Sequence, residues 1–367
     1  MRPITPRLTP ELQAHCGSKS VWRAEAYHVQ KFRALVQHVA KLAYINSDEL
    51  LFFRGQSKDY QSKAGGTTLY PSIYRGDAVQ SRELRYRFRL LDQAASRLVE
   101  LWGRSQIDGY TDLRKKRYIQ WSILQHYGVA DTPLLDFTHS LRVACSFAQL
   151  NGSGSACYVY VLGLPYVTNR ITINSEHDIA NIRLLSICPP DALRPHFQEG
   201  YLAATTDVTT DFDSKTELDF RNRLIAKFRI PRNPNNFWRP GFDPIPETAL
   251  FPKSDMILDL CEQLKSELEY QSHPGDLGEF VKQWAILEEY LLRIGRRVTE
   301  RNLSVREAIS ALQKNGVLSK NVAEQIQGIR AFRNNVVHKP SSIQSSTLET
   351  WLEKIQQILP QVPINGE

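Results

Sequence analysis

The chain has 367 residues, 42% hydrophobic and 23% charged, a balance that excludes wholesale disorder and implies two folded domains. Its 46 basic residues against 39 acidic ones give a formal charge of +7, a surplus that permits a nucleic-acid partner without requiring one. Cys16, Cys145, Cys157, Cys188 and Cys261 form no C-x-x-C pair, and no stretch approaches the ~20 apolar residues of a membrane span. Zinc-knuckle, disulfide-scaffold and membrane-spanning classes are therefore set aside in favour of a cytoplasmic protein with reduced thiols.

Residues 1–24 read as an extended arm without the apolar core of a signal peptide. From Tyr27 to Ala43, Val29, Phe32, Leu35, Val36, Val39 and Leu42 recur at helical spacing and predict an amphipathic helix. Leu50-Leu51-Phe52-Phe53 predicts a buried strand ending in a turn at Arg54-Gly55, and residues 57–70 read as a polar, Gly-rich loop. Helices are predicted over 81–102 and 112–127; the basic cluster Arg114-Lys115-Lys116-Arg117 reads as a solvated helix face. Leu134-Leu135 predicts a short buried strand, 140–150 a helix, and the β-branched and aromatic runs 158–162 and 224–230 two further strands. The irregular alternation of helix and strand favours an α+β domain over a doubly wound sheet.

After a helix over 254–270, the break Ser272-His273-Pro274-Gly275 marks a boundary. The α+β domain is thus placed at 25–268, a linker at 269–276, and an all-α domain at 277–362. That domain has predicted helices over 277–298, 304–314, 319–338 and 346–359. Ser304 with Glu307 predicts a capping box for the second of them, and the short loops imply a four-helix up-and-down bundle.

On the third of these helices, Val322, Ile326, Ile329, Val336 and Val337 share one stripe at about 100° per residue, with Arg333 in its middle. A guanidinium there is costly unless paired or at an interface. His338 lies roughly 140° around the helix from Arg333, so a two-fold homodimer through the helical domain is the expected way to gather both side chains into one cleft. His338 also falls at the helix C-terminus, where the dipole favours imidazolium.

Arg333-Asn334-Asn335-Val336-Val337-His338 resembles the signature of HEPN domains, and Trp284-Ala285-Ile286-Leu287-Glu288 resembles their first helix. The resemblance implies a dimeric, metal-independent RNA endonuclease of toxin and antiviral systems. Carried over, Arg333 would hold the scissile phosphate, Asn334 would be the polar residue beside it, and His338 would transfer protons. In the alternative, Arg333 pairs with Glu288 or Glu289 as structural glue.

Upstream, Phe53-Arg54-Gly55-Gln56, then Gln125-His126-Tyr127-Gly128 through Thr132-Pro133-Leu134-Leu135-Asp136-Phe137-Thr138 to Ala144 and Phe147, then Arg194, Gln198, Gly200 and Ala249-Leu250-Phe251-Pro252, together resemble the FRG domain over about residues 25–268. Pro252-Lys253-Ser254-Asp255 departs from it, since an Asp is expected directly after the Pro. A second resemblance is to mono-ADP-ribosyltransferases: Arg54-Gly55 matches their first motif, and Asp136-Phe137-Thr138 with Ala144 and Phe147 their second. Gln198-Glu199-Gly200 puts Gly where the catalytic Glu should stand. The resemblances imply ligand contacts at Arg54, Gln56, His126, Tyr127, Asp136, Thr138 and Gln198, with NAD or another nucleotide as the ligand and no other cofactor or metal. Arg54, Thr138 and Gln198 are expected to meet in one cleft. Structural readings stand beside these: His126 and Tyr127 capping a helix and filling a core, Asp136 in an Asx-turn, Arg54 buried for stability, Ala144 and Phe147 packing.

The reading that joins both halves is an RNA-cutting effector with an FRG sensor, in bacterial antiphage defence or a toxin system, triggered by a phage or partner protein. The alternatives are an NAD-using FRG domain with the helical domain as dimeriser, and an interaction module in both halves.

Overall fold

The computed structural model describes the whole chain except residues 64, 77–80, 151, 153, 191, 207, 209–211, 213, 271–273, 339–344 and 363–367, and the side chains at 81–83, 236, 269–270, 274–277, 335, 337–338, 345–346 and 349. It divides into two compact units, Met1–Leu264 and Lys265–Glu367.

The first unit is built on a mixed eight-stranded sheet. Its strands are β1 (Tyr27–His28), β2 (Leu50–Gln56), β3 (Leu135–Thr138), β4 (Ala156–Leu164), β5 (Ile171–Asn174), β6 (Ile179–Arg183), β7 (Gly200–Thr205) and β8 (Leu224–Pro231), in the order β1-β8-β4-β2-β3-β7-β6-β5. Only β1 and β8 pair in parallel; the other neighbours are antiparallel. The helices are α1 (Pro10–Cys16), α2 (Phe32–Ile45), α3 (Ser81–Arg104), α4 (Tyr110–Lys115), α5 (Arg117–His126), α6 (Leu141–Leu150), α7 (Leu193–Phe197), α8 (Pro234–Phe237), α9 (Glu247–Leu250) and α10 (Met256–Tyr270), of which the part up to Leu264 belongs to this unit.

Alternation along β2 sorts the two sides of the sheet. Leu51 and Phe53 enter one core with Val159, Val161, Leu35 and Leu42 of α2, and Ala144 and Ala148 of α6. Phe52 enters the other with Leu135, Phe137, Tyr160 and Leu162. Glycine at 55 is what lets α6 lie directly on β2: a Cβ there would sit 1.8 Å from the Ala144 carbonyl oxygen.

Several expectations shift. The segment 1–24 is not a free extended arm. Thr9 caps α1, Pro10 occupies its first turn, and Leu12, Val21 and Ala24 are buried. The helix expected from Tyr27 starts at Phe32, because Tyr27 and His28 pair with Phe228 and Arg229. The helix expected over 112–127 is two, broken by extended backbone at Lys116, with the Gln120 amide donating to the Leu113 carbonyl left open at the end of α4. Strands β5, β6 and β7 were not anticipated. Ile179 to Ile182 of β6 and Leu202 to Thr205 of β7 are buried on successive positions, so no polar alternation announces them.

The second unit is helical: α11 (Pro274–Thr299), α12 (Val305–Lys314), α13 (Lys320–His338) and α14 (Ser345–Ile358). Trp284, Leu287, Ile309, Ile326, Ile329 and Leu352 are among the side chains of one shared core. Ser304 and Glu307 form the capping box expected from their spacing. Phe332 of α13 stacks on Trp351 of α14, with ring centroids 5.0 Å apart. No helix among the described residues is long and apolar enough to cross a membrane.

Candidate functional site

Arg54 and Gln56 follow Phe52 on β2 and so share its face of the sheet; Asp136 and Thr138 alternate with Leu135 and Phe137 and so point to the opposite face. Pairing between β2 and β3 is confined to Phe53 opposite Thr138, and beyond that point the two strands part. The Arg54 side chain crosses the gap, and its Nη1 donates to the Asp136 carbonyl oxygen at 2.6 Å.

Above Arg54 opens a cleft of about 920 Å³ lined by Arg54 and Gln56, by Tyr60, Tyr70 and other residues of the loop after β2, by Arg75, and by Lys215. No carboxylate is among the described lining residues. The Arg54 Nε is shielded from solvent without an acceptor, and the Gln56 Oε1 is shielded without a donor. Burial pushes the Arg54 guanidinium below its usual pKa; Asp136 opposes that shift, and the like charge of Arg75 reinforces it. The Tyr70 hydroxyl is pushed up to about 12 by burial and by Asp219, so it stays neutral.

One wall of the cleft is anchored from beneath. Asp59 accepts from Lys227 Nζ at 3.2 Å, Thr67 Oγ1 at 2.7 Å and Tyr160 Oη at 3.0 Å. Lys227 is buried and also donates to Thr67 Oγ1 at 2.7 Å. This buried ion pair holds the loop against the sheet.

The remaining motif residues of the first unit fasten elements to one another. Gln125 donates to an Asp136 carboxylate oxygen at 2.7 Å and accepts from Thr132 Oγ1 at 2.6 Å. His126 Nδ1 lies 3.8 Å from the other Asp136 oxygen, an electrostatic contact rather than a hydrogen bond, and its buried Nε2 has no partner. Burial would raise the Asp136 carboxyl, but His126, Arg54 and Gln125 outweigh it and hold it below its ordinary range. Tyr127 donates to Asp255 at 2.8 Å, and burial together with Asp255 raises its hydroxyl pKa. The backbone N–H of Arg194 donates to the same Asp255 oxygen at 3.1 Å, while the Arg194 guanidinium lies over the Tyr127 and Phe251 rings. Gln198 donates to the Leu250 carbonyl at 2.7 Å. Thr138 Oγ1 accepts from the Ser140 N–H at 3.1 Å just ahead of α6.

The expected meeting of Arg54, Thr138 and Gln198 in one cleft therefore does not occur. The strand alternation separates Arg54 from Thr138, and Gln198 is spent on a backbone carbonyl. Arg54 and Gln56 stand together in the cleft; Asp136 reaches it only through its carbonyl oxygen. The Asp expected directly after Pro252 stands two places later than that, as Asp255, where it caps α10 by accepting from Ile257 N at 3.0 Å. Sequence reading passed over Tyr60, Tyr70, Arg75 and Lys215. Tyr60, Tyr70 and Arg75 lie in the irregular segment after β2 and Lys215 opens a 3-10 turn far along the chain, so no local spacing marks them.

In the second unit Arg333 is half-buried, its Nε shielded without an acceptor and its Nη1 3.4 Å from the Asn334 side-chain oxygen. Glu288, one expected partner, instead accepts from the Trp284 indole at 2.7 Å. The described residues give Arg333 no ion pair with Glu288 or Glu289. The backbone of His338 closes α13, but its side chain lies outside the described residues, as does Val337's.

The turn expected at Arg54-Gly55 is instead strand, since Arg54, Gly55 and Gln56 pair with Tyr160, Val159 and Tyr158 of β4. An α+β unit with a basic cleft built around an arginine of β2 is the class these features define. Residues 49–155 match the FRG domain family model, so the chain carries an FRG domain there, with Arg54, Gln56, Tyr60, Tyr70, Arg75 and Leu135 of the cleft inside the match. No curated protein and no solved structure matches the chain.

Proposed function

We propose that the chain is a two-part effector in which the FRG unit binds a regulatory ligand and the helical unit, acting as a HEPN-like homodimer, cleaves RNA without a metal. Arg333 carries this reading. It is a half-buried guanidinium whose Nε lacks an acceptor and whose described contacts include no carboxylate. Arginine buried for stability is normally paired, because desolvating the charge is costly. One with no carboxylate among its described partners suits a task that begins when a phosphate arrives.

The chemistry asks little else of the protein. The RNA 2′-oxygen gives up its proton to a base and attacks phosphorus; the P–O5′ bond breaks, the 5′-oxygen takes up a proton, and a 2′,3′-cyclic phosphate remains. His338 is the proton-transfer group and Arg333 offsets charge on the crowded phosphorane.

The test is end-labelled RNA incubated with the full-length protein in EDTA, with products mapped for cyclic phosphate. Acid–base help is worth roughly 10²–10⁴-fold, so His338→Ala should lose detectable cutting while keeping the helical content of the wild type. Equal cutting by His338→Ala, or intact RNA with the wild type over a panel of nucleotide ligands, removes the nuclease reading. Sedimentation equilibrium should show a dimer at micromolar concentration; a strict monomer contradicts a shared site.

A further inference from the structure

We propose that the cleft over Arg54 is a binding site for a nucleoside di- or triphosphate. The inference rests on the reading of the FRG unit as a ligand-binding domain and is independent of the nuclease reading, since binding and cutting are measured separately.

Two guanidinium groups, with Lys63 and Lys215 also in the lining, set the charge of the site. Arg54 donates to the Asp136 carbonyl at 2.6 Å and Arg75 Nε donates to the Tyr70 carbonyl at 3.2 Å. Carbonyl acceptors satisfy geometry but do not neutralise charge. Both cations line one cleft whose described lining residues include no carboxylate, and the charge of Arg75 disfavours that of Arg54. An anion placed between them removes that conflict and gains charge-assisted hydrogen bonds, and the planar fork of arginine matches phosphate oxygens in pairs. Of the five N–H groups a guanidinium carries, Arg54 uses one on Asp136. Its Nε is a buried donor with no acceptor in the folded chain.

Phosphate alone does not account for the rest of the cleft. Gln56 Oε1 is a shielded acceptor with no donor, a place for a ribose hydroxyl or a base amino group. Tyr60 is 54% exposed at the wall, a ring free to stack on a base, and the apolar Leu69 and Leu135 form part of the lining. At about 920 Å³ the volume is that of a small-molecule site rather than an ion pocket.

The experiment is isothermal titration of the full-length chain with ATP, pyrophosphate and adenosine, together with Arg75→Gln and Tyr60→Ala. Both substitutions fall on exposed side chains, so the fold should survive, and circular dichroism checks that it does. ATP should bind and pyrophosphate should compete with it. Adenosine alone should bind far more weakly, since it lacks the phosphates. Arg75→Gln should weaken ATP about tenfold, the loss that one charge-assisted contact represents. Tyr60→Ala should weaken ATP but leave pyrophosphate unchanged. No heat with ATP up to millimolar concentration overturns the proposal, as does wild-type affinity in Arg75→Gln. Binding of a single-stranded oligonucleotide without any binding of ATP also overturns it, by making the cleft a nucleic-acid groove. RNA cutting that persists without ATP binding leaves the nuclease reading standing and removes this one.

Discussion

Replacing Asp255 by alanine should destabilise the first unit by about 3–7 kcal/mol, a magnitude that follows from what the carboxylate holds. Asp255 is fully buried. It accepts from the Tyr127 hydroxyl at 2.8 Å, the Arg194 N–H at 3.1 Å and the Ile257 N–H at 3.0 Å. Alanine leaves the Tyr127 and Arg194 donors unsatisfied, each at a cost of about 1–3 kcal/mol, and removes the cap of α10 for roughly 1 kcal/mol more. Tyr127→Phe removes only one donor and leaves the carboxylate its two N–H partners, so it should cost roughly 1.5 kcal/mol. Because both substitutions delete the same hydrogen bond, the double variant should fall short of their sum by about 1–2 kcal/mol. With two compact units a single global transition is not assured. The readout is therefore urea-dependent hydrogen exchange, followed by mass spectrometry in peptides covering α5 and β3. A loss below about 1 kcal/mol for Asp255→Ala, or full additivity with Tyr127→Phe, refutes the argument that this carboxylate ties α10, α7 and the end of α5 together.

Gly55→Ala should cost about 3 kcal/mol or more, since the added carbon meets backbone of α6 at 1.8 Å and only a shift of the helix relieves it; the unfolding midpoint of the purified variant checks this. Lys227→Met strands buried Asp59 without its cation and should cost about 3–5 kcal/mol, with faster proteolytic nicking of the loop between β2 and α3. His139 makes stability depend on pH. Burial lowers its folded pKa from the ordinary 6.5, although Nδ1 shares a hydrogen bond with the Leu51 carbonyl that pulls the other way. The unfolded chain therefore binds more protons at this residue. Its contribution is intact at neutral pH and is lost as pH falls below 6.5 towards the lowered folded value. Unfolding midpoints between pH 7.5 and pH 5 (about a unit either side of the ordinary pKa) should shift less in His139→Gln than in the wild type; an equal shift contradicts the assignment.

What could be read from the sequence was local. Leu51, Phe52 and Phe53 announce a strand buried on both sides, and Ser304 with Glu307 announces a helix start. The motifs around Arg54 and His126 announce an FRG domain. What could not be read depends on pairings across long stretches of chain. Lys227 looks like a solvated lysine in a strand until Asp59, 168 positions earlier, is placed against it. Lys215 and Arg75 acquire meaning only when the fold brings them to one opening. Strand alternation, a local rule, was sufficient to separate Arg54 from Thr138, but applying it required knowing that Phe53 lies opposite Thr138.

The motif residues divide by task, and Arg54 belongs to both groups. Its Nη1 closes the gap between β2 and β3 by holding the Asp136 carbonyl, while the Asp136 carboxylate is held by Gln125, which in turn accepts from Thr132. A chain of hydrogen bonds thus runs from the floor of the cleft to the C-terminal end of α5. Whatever draws charge towards Arg54 acts on the first link of that chain. Substituting Arg54 would disturb cleft and scaffold at once, and loss of function in such a variant could not distinguish them. Arg75 and Tyr60 can, because the Arg75 side chain donates to Tyr70 within its own loop, the Arg87 contact to Arg75 and the Thr68 contacts to Tyr60 are made to backbone carbonyls, and none of these involves the fastening around Asp136.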